Sequence, residues 1–311
     1  MSNKTENFQM KNILVQVSTL LIVMLSFWFV FSQLKSSEIN ITDTLLNANG
    51  YIFVAIFCVI ALTTVSPLLW KVLMRGSGAE IPLVTCYGLW WSTNIAKYIP
   101  GKVSLLASRA WVARKWGSTV VLESFIWEIL ISTSSASFAA SMLFYLDDYP
   151  QSTKVAIALG CMLSFLPIVS PKITQRLVRK PLKFFGKGDW DTEVSMSRTT
   201  YAIALLLMTS TWVLWGLAHK YMLIGLGYDA PLYLLIGAFA VAWFTGFVAF
   251  FLPAGFGARE GVFTYTLSYF ITGGVGAILA ILSRTINIFV DILLFFVGVV
   301  VLKSTDGFEE E

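Results

Sequence analysis

Residues 251–260 read FLPAGFGARE, and residues 98–102 read YIPGK. Each stretch places an aromatic residue, an aliphatic residue, a proline and a glycine in that order inside an apolar region, and basic residues follow. Proline removes a backbone donor and glycine widens the range of allowed dihedral angles, so both stretches predict a broken helix. Because unpaired backbone is costly in lipid, such breaks are tolerated only where protein or a water-filled cavity satisfies the polar groups.

The composition of the chain around these breaks is that of an integral membrane protein. The 311 residues are 57% hydrophobic and 13% charged, with a mean hydropathy of +0.74, whereas a soluble domain carries about 25% charged residues. This composition excludes a soluble globular protein. At about 20 apolar residues per crossing, residues 1–311 predict a single all-α, polytopic membrane helix bundle of roughly eight spans, in which the two breaks belong to an internal pseudo-repeat.

The apolar stretches predict membrane spans over residues 12–32, 51–70, 120–146, 155–169, 201–218, 232–251 and 277–302. Residues 81–99 are interrupted and lead into a basic block at residues 97–115. Positive residues favour the cytoplasmic side, and a full crossing would place this block outside. We therefore expect residues 81–99 to form a re-entrant hairpin or broken helix that returns to the cytoplasmic face.

Residues 172–198 are the most basic stretch and are predicted to form a cytoplasmic loop. The stretch begins with basic residues at helical spacing and apolar residues between them: Lys172, Arg176, Arg179 and Lys180. This pattern suits a short interfacial helix that lies against anionic headgroups until Pro181 disrupts it. A topological anchor without specific lipid binding is the alternative. Residues 303–311 form an acidic tail that we expect to be disordered.

The inventory of reactive side chains is short. His219 is the only histidine, and Cys58, Cys86 and Cys161 each lie alone in an apolar run. Neither a metal-ligand spacing nor a disulfide framework follows from these positions, and we expect His219 to be an interfacial residue. The sequence contains no nucleotide-binding motif. We therefore expect no metal, no cofactor and no enzymatic activity.

The two breaks form the candidate binding site. Broken helices at corresponding positions of two halves point to a transporter binding site, because an exposed helix N-terminus offers free amides and a positive dipole end. Basic residues nearby would add full charges, which suits a phosphate or another anionic headgroup. The alternative is two ordinary Pro-Gly turns at the membrane edge with snorkelling arginines. The predicted substrate-binding residues are Asn94, Lys97, Pro100, Gly101, Lys102, Arg109, Pro253, Gly255, Gly257, Arg259 and Glu260.

Ionisable side chains also fall within the predicted spans, at Glu123, Glu128, Arg284 and Asp291. Each costs about 3 kcal/mol in hydrocarbon and needs a partner. Arg284, Asn287 and Asp291 recur at helical spacing, so this face of the last span must point into the bundle. We hypothesise that Arg284 pairs with Glu123 or Glu128, and that this network lines the translocation path or transmits gating. A static ion pair that fixes helix packing is the alternative.

These residues resemble a known family. The sequence is similar to the transmembrane flippase-like family that includes the membrane region of lysylphosphatidylglycerol synthase, and the similarity is carried by Asn94 through Pro100 and Gly101 to Arg109, by Glu123, and by the GFGARE core of residues 253–260. The resemblance implies a polytopic α-helical fold and the movement of lipids or lipid-linked molecules between leaflets. It also implies that Arg259 and Glu260 take the places of the family's Arg-Glu pair.

The sequence departs from the family pattern at two places. Lys102, Val103 and Ser104 stand where the family often has a Gly-Glu step, so a carboxylate expected near the first break is missing. Ser124 follows Glu123 where many relatives carry arginine. The soluble aminoacyl-transferring domain of the synthases is not part of this sequence, so we do not expect this chain to aminoacylate lipids by itself.

The residues and the resemblance together predict translocation of an anionic phospholipid or a polyprenyl-phosphate-linked molecule across the cytoplasmic membrane. Lys97, Lys102, Arg109 and Arg259 would supply counter-charges, and Glu260 would orient Arg259 or carry a proton. The expected partners are membrane lipids with anionic headgroups, with envelope glycosyltransferases as further candidates and no nucleic acid. The alternative function is a non-transporting accessory or scaffold in envelope lipid or glycan biosynthesis. A third hypothesis, an enzyme acting on lipid phosphate, finds little support in so short an acid-base inventory.

Overall fold

The computed structural model describes residues 49–99, 103–184, 196–249, 252–271 and 274–305. The described chain is helical and contains no strand. The predicted span at residues 12–32, the residues Pro100, Gly101 and Lys102, and most of the predicted tail lie outside the described residues. The helices are α1 (Asn49–Gly76), α2 (Leu83–Asn94), α3 (Val103–Val112), α4 (Ser118–Ala140), α5 (Gln151–Leu163), α6 (Leu166–Val169), α7 (Pro171–Phe184), α8 (Arg198–Gly225), α9 (Leu232–Val248), α10 (Ala258–Leu267) and α11 (Val275–Ser304).

Five helical stretches within the described ranges are long and apolar enough to cross a membrane: Gly50–Gly76, Ser118–Tyr145, Gln151–Val169, Arg198–Gly225 and Val275–Ser304. The protein is therefore a multi-pass α-helical membrane protein. The described residues thus contain five candidate spans, fewer than the roughly eight that the sequence predicted at about 20 residues each. Two further apolar regions fold back as helical hairpins, α2–α3 and α9–α10.

The first hairpin consists of α2 and α3. Ile81, which precedes α2, and Ala113, which follows α3, pack in one apolar cluster with Trp70 and Val121. The chain therefore enters and leaves at the end of the bundle where α4 begins. Between these points α2 runs to Asn94, whose side chain contacts the middle of α11. This path is that of the predicted broken helix that returns to its starting face.

The second hairpin consists of α9 and α10 and enters from the opposite end. Tyr149, which follows α4, packs in one cluster with Leu234 at the start of α9, and its hydroxyl lies 3.3 Å from Thr266 Oγ1 near the end of α10. Residues 232–251, predicted to form one span, instead form a helix that ends at Val248, and the chain then folds back. This apolar helix is shorter than the five candidate spans, so a span at residues 232–251 stays a prediction.

The turn between α9 and α10 requires glycine. Ala254 has φ 46° and Gly255 has φ 69°, in the left-handed region that favours glycine. The backbones also approach closely here, because a Cβ placed on Gly255 would lie 2.7 Å from Gly246 Cα. The break predicted from the sequence is therefore a tight reversal of the chain inside the bundle.

The two ends of the bundle differ in their side chains. The end where α1 finishes and α4 begins is basic and carries Arg75, Arg114, Lys115, α7 and Arg198. The other end carries paired tyrosine rings, as in the contacts Tyr51–Tyr221 and Tyr145–Tyr233. Aromatic side chains are enriched at membrane interfaces, and basic side chains on the cytoplasmic side. Helix α7 includes Pro181 and continues to Phe184, whereas the sequence predicted that this proline would disrupt the helix.

Candidate functional site

A cavity of about 280 Å³ lies where the tips of the two hairpins meet. Its walls include the aromatic residues Trp90, Trp215, Trp243 and Phe247. Many of the residues predicted from the sequence line it together, although they come from both halves of the chain: Asn94, Lys97, Arg109, Glu128, Arg259, Arg284 and Asn287. The fold thus brings the two predicted half-sites into one cavity.

The first break is attached to α11 by a buried carboxylate. Asp291, which is 3% exposed, accepts a hydrogen bond from Asn94 Nδ2 at 2.9 Å and one from the Tyr98 hydroxyl at 2.6 Å. Lys97 Nζ lies 2.7 Å from the same carboxylate. The three donors are three and four residues apart and so share one helical face. The sequence interpretation did not include Tyr98 as a site residue, although its spacing from Asn94 carried the signal.

The second break is attached to α11 by Arg284. Its Nε lies 3.0 Å from Glu260 Oε1, and its Nη2 donates to the Ala254 carbonyl at 3.1 Å. The other oxygen of Glu260 accepts from the Gly257 amide at 2.7 Å and caps α10. The guanidinium also lies over the Phe256 ring, with Cζ 4.1 Å from the centroid. Arg284 therefore holds the turn and the start of α10 at once.

The hypothesis that Arg284 pairs with Glu123 or Glu128 was wrong. Glu128 lies 2.7 Å from Arg109 Nη1, and both line the cavity. Glu123 lies away from this cavity and accepts from Gln175 Nε2 on α7. The two glutamates face different neighbours because five residues on a helix place them on diverging faces. In contrast, the prediction that Arg284, Asn287 and Asp291 form a buried face of the last span is confirmed.

Arg109 is held by aromatic rings as well as by Glu128. The side chain is 2% exposed, and Cζ lies 3.6 Å from the Trp90 centroid and 5.8 Å from the Trp70 centroid. A guanidinium combines such stacking with a hydrogen bond to a carboxylate because it is planar. This cation is therefore compensated and positioned within the cavity wall.

Among the described cations that line the cavity, Arg259 is the one without a carboxylate at ion-pair distance. The residue is 8% exposed and lines the cavity, with Cζ 4.6 Å from the Phe239 centroid and 5.5 Å from that of Trp215. No described hydrogen bond or ion pair involves its guanidinium. The predicted orientation of Arg259 by Glu260 is not found in the described contacts, since both oxygens of Glu260 have other neighbours.

The ion pairs show how many of the cations around the cavity are neutralised by a carboxylate. Three cations are matched to three carboxylates in the pairs Lys97–Asp291, Arg109–Glu128 and Arg284–Glu260. Among the described residues that line the cavity, Arg259 therefore leaves one positive charge in excess. A buried charge is costly unless it is paired, so this part of the cavity favours an anion.

The remaining predicted residues lie in the turn between α9 and α10 or in the core of the bundle. Gly255 and Gly257 lie in the turn between α9 and α10, which begins at Pro253. His219 is fully buried, and Nε2 lies 2.9 Å from Ser283 Oγ, so the expectation of an interfacial histidine was wrong. Within the described ranges, no group of three or more His, Cys, Asp or Glu side chains is arranged to hold a metal ion.

The fold and the charged cavity define a multi-pass helical membrane protein with two broken hairpins that meet inside the bundle. The chain belongs to the family described as lysylphosphatidylglycerol synthase TM region, whose model matches residues 15–294. No curated protein and no solved structure gave a match to the sequence. Membership of this family indicates a function related to membrane lipids.

Proposed function

We propose that the protein binds the anionic headgroup of a lipid in the central cavity and moves the lipid between the two leaflets. The observation that carries this proposal is the excess positive charge of Arg259 in a cavity where the other three cations have carboxylate partners. A phosphate group would supply the missing negative charge and would accept two parallel hydrogen bonds from the guanidinium. The cationic residue is thus matched to the chemistry of a phospholipid or a polyprenyl-phosphate lipid.

The size of the cavity favours a headgroup and not a whole lipid. A volume of about 280 Å³ lies just below the usual range for small-molecule pockets, which is roughly 300 to 1,000 Å³. Acyl or polyprenyl chains would therefore remain in the bilayer while the headgroup occupies the cavity. The aromatic walls, such as Trp215 and Trp243, would exclude water around the bound anion and strengthen its interaction with Arg259.

The arrangement of the hairpins supports movement across the membrane. The α2–α3 hairpin enters from the basic end and the α9–α10 hairpin from the opposite end, and residues of both line the cavity. Broken helices that meet near the midplane are typical of transporter binding sites, where one repeat rocks against the other around the site. We propose that both hairpins are re-entrant and that opening one or the other exposes the headgroup to one leaflet.

The proposed location is the cytoplasmic membrane, with the basic end of the bundle facing the cytoplasm. The proposed role is transport without catalysis, and the proposed partners are anionic lipids. Envelope glycosyltransferases are the class of enzymes that would supply or consume a lipid-linked sugar of this charge.

Reconstitution into liposomes tests the proposal. Fluorescent phosphatidylglycerol is placed in both leaflets, and the fraction reduced by dithionite from outside reports movement between them. We expect Arg259→Gln to slow this movement roughly 10- to 100-fold, because a hydrogen bond to a charged group contributes about 1.5–3 kcal/mol. Arg114→Gln, which removes an exposed arginine outside the cavity, should not change the rate.

Two results would contradict translocation. Wild-type protein could leave both phosphatidylglycerol and a polyprenyl-phosphate lipid in their original leaflets, or Arg259→Gln could move them at the wild-type rate. Binding of the anionic lipid without movement would instead support the non-transporting accessory role.

A further inference from the structure

Helix α7 (Pro171–Phe184) lies outside the central cavity and carries the strongest separation of basic and apolar side chains in the described chain. We infer that this helix is a docking surface for the anionic headgroups of the leaflet at the basic end of the bundle. The inference is independent of the proposed transport, because it rests on residues that do not line the cavity.

The inner face of α7 is fixed to the bundle by a buried carboxylate. Glu123 of α4 is 1% exposed, accepts a hydrogen bond from Gln175 Nε2, and lies 3.4 Å from Arg179 Nε. Gln175 Oε1 in turn accepts from the Met196 amide at 3.3 Å, just before α8. Val178 packs on the same side, in a cluster with Leu73 and other core residues. These contacts set the rotation of α7 about its own axis.

The rotation set by these contacts leaves two adjacent stripes on the outer face. Lys172, Arg176 and Lys180 are exposed and four residues apart, so they form a basic stripe. Ile173 and Leu177 are 51% and 53% exposed and form an apolar stripe next to it. A helix with these two stripes lies in the membrane interface with its apolar side toward the acyl chains and its basic side toward the headgroups.

The surroundings of α7 favour a membrane and not a soluble acidic protein. The exposed apolar surface continues from α7 into the preceding segment, where Met162, Phe165 and Val169 are 71%, 51% and 70% exposed. That segment belongs to a candidate membrane span. The apolar stripe of α7 therefore follows directly after a stretch of exposed apolar side chains in a candidate membrane span, which favours lipid as its neighbour.

A spin label at Ile173→Cys tests the inference in the whole protein. The label is placed in a Cys161→Ala background, because the other two cysteines, Cys58 and Cys86, are buried. Its accessibility to oxygen and to a water-soluble nickel reagent is compared in nanodiscs of phosphatidylcholine and of phosphatidylcholine with phosphatidylglycerol. A second label at Leu206→Cys, which is 71% exposed on α8, reports the depth of a span that should not change.

We expect anionic lipid to move the label at position 173 deeper and to shield it from the nickel reagent at low salt. Combining Lys172→Gln, Arg176→Gln and Lys180→Gln should remove this effect, since each basic residue contributes about fivefold to attraction by an anionic surface and three contribute roughly a hundredfold. The matched control combines Arg75→Gln, Arg114→Gln and Lys115→Gln. It removes the same charge from the same end of the bundle and should keep the effect.

The inference is overturned if the label has the same depth with and without phosphatidylglycerol, or if the control variant loses the effect as fully as the α7 variant. A label that stays accessible to the nickel reagent in anionic nanodiscs would point to a soluble partner and would also overturn it. Glu123→Gln tests whether Glu123 sets the rotation of α7, because this variant removes the charge opposite Arg179. We expect a wider distribution of label depths in this variant, and an unchanged distribution would exclude the role assigned to Glu123.

Discussion

Asp291→Asn removes the charge that attaches the first break to α11. The carboxylate accepts from Asn94 and Tyr98 and lies 2.7 Å from Lys97 Nζ. Asparagine keeps the size of the side chain and one acceptor oxygen. Its NH₂ group, however, would take the place of the second acceptor oxygen and would face a hydrogen-bond donor. The Lys97 ammonium would also lose its counter-charge. The variant therefore tests whether this contact holds the α2–α3 hairpin in place.

The expected cost follows from the burial of the two partners. Removing one member of a buried ion pair costs about 3–5 kcal/mol, because the other charge remains uncompensated. The Asp291 side chain is 1% exposed, but that of Lys97 is 26% exposed toward the cavity. Water in the cavity can hydrate Lys97 in part, so we expect the lower limit of about 3 kcal/mol. Adding Lys97→Gln should recover part of this loss, with a coupling energy of about 1–3 kcal/mol.

Unfolding in mixed detergent and dodecyl sulfate micelles, followed by tryptophan fluorescence, measures both quantities. The matched control is Asp229→Asn. Asp229 lies exposed in the loop before α9 and pairs with Lys220 of α8, so this variant should leave the free energy of unfolding nearly unchanged. A cost below about 1 kcal/mol for Asp291→Asn would refute the assignment. Additivity of the two single variants within about 0.5 kcal/mol would do the same, because it would mean that the partners do not interact.

Two further predictions concern the turn and the cavity wall. Gly255→Ala should abolish correctly folded protein on size-exclusion chromatography, because the added Cβ would meet Gly246 Cα at 2.7 Å, whereas Gly50→Ala, with open space around it, should elute like the wild type. Arg109→Lys should lower the free energy of unfolding by about 1–2 kcal/mol in the same micelle titration, since an ammonium keeps the charge but loses the planar stacking on Trp90. An unchanged elution profile for the first variant or an unchanged free energy for the second would contradict these interpretations.

The sequence was sufficient to predict the second break and the buried face of the last span, because both depend on local chemistry. Proline and glycine identify positions where a helix cannot continue, and Pro253–Gly255 is such a position in the fold. Helical periodicity likewise identifies which residues share a face, so the burial of Arg284, Asn287 and Asp291 could be deduced from their spacing. The scarcity of charge in the chain made these few polar residues conspicuous.

The ion-pair partners could not be deduced in the same way. Periodicity gives the direction of a side chain around its own helix but not the identity of the helix that packs there. Arg284 meets Glu260 because the α9–α10 hairpin enters from the tyrosine-lined end and turns beside α11. That reversal depends on the close approach of Gly246, near the end of α9, and Gly255, nine residues later in the turn before α10. The burial of His219 against Ser283 was missed for the same reason.

The arrangement of pairs along α11 determines how the two breaks can move. Arg284 holds the second break and Asp291 holds the first, and seven residues of α-helix separate these attachment points by about 10 Å. They share one face, with Asn287 between them at the cavity wall. A displacement of α11 would therefore carry both breaks, whereas loss of one pair would release one hairpin only. Since Arg259 adjoins Glu260 in the chain, its unpaired charge is positioned in the cavity through the contact between Glu260 and Arg284.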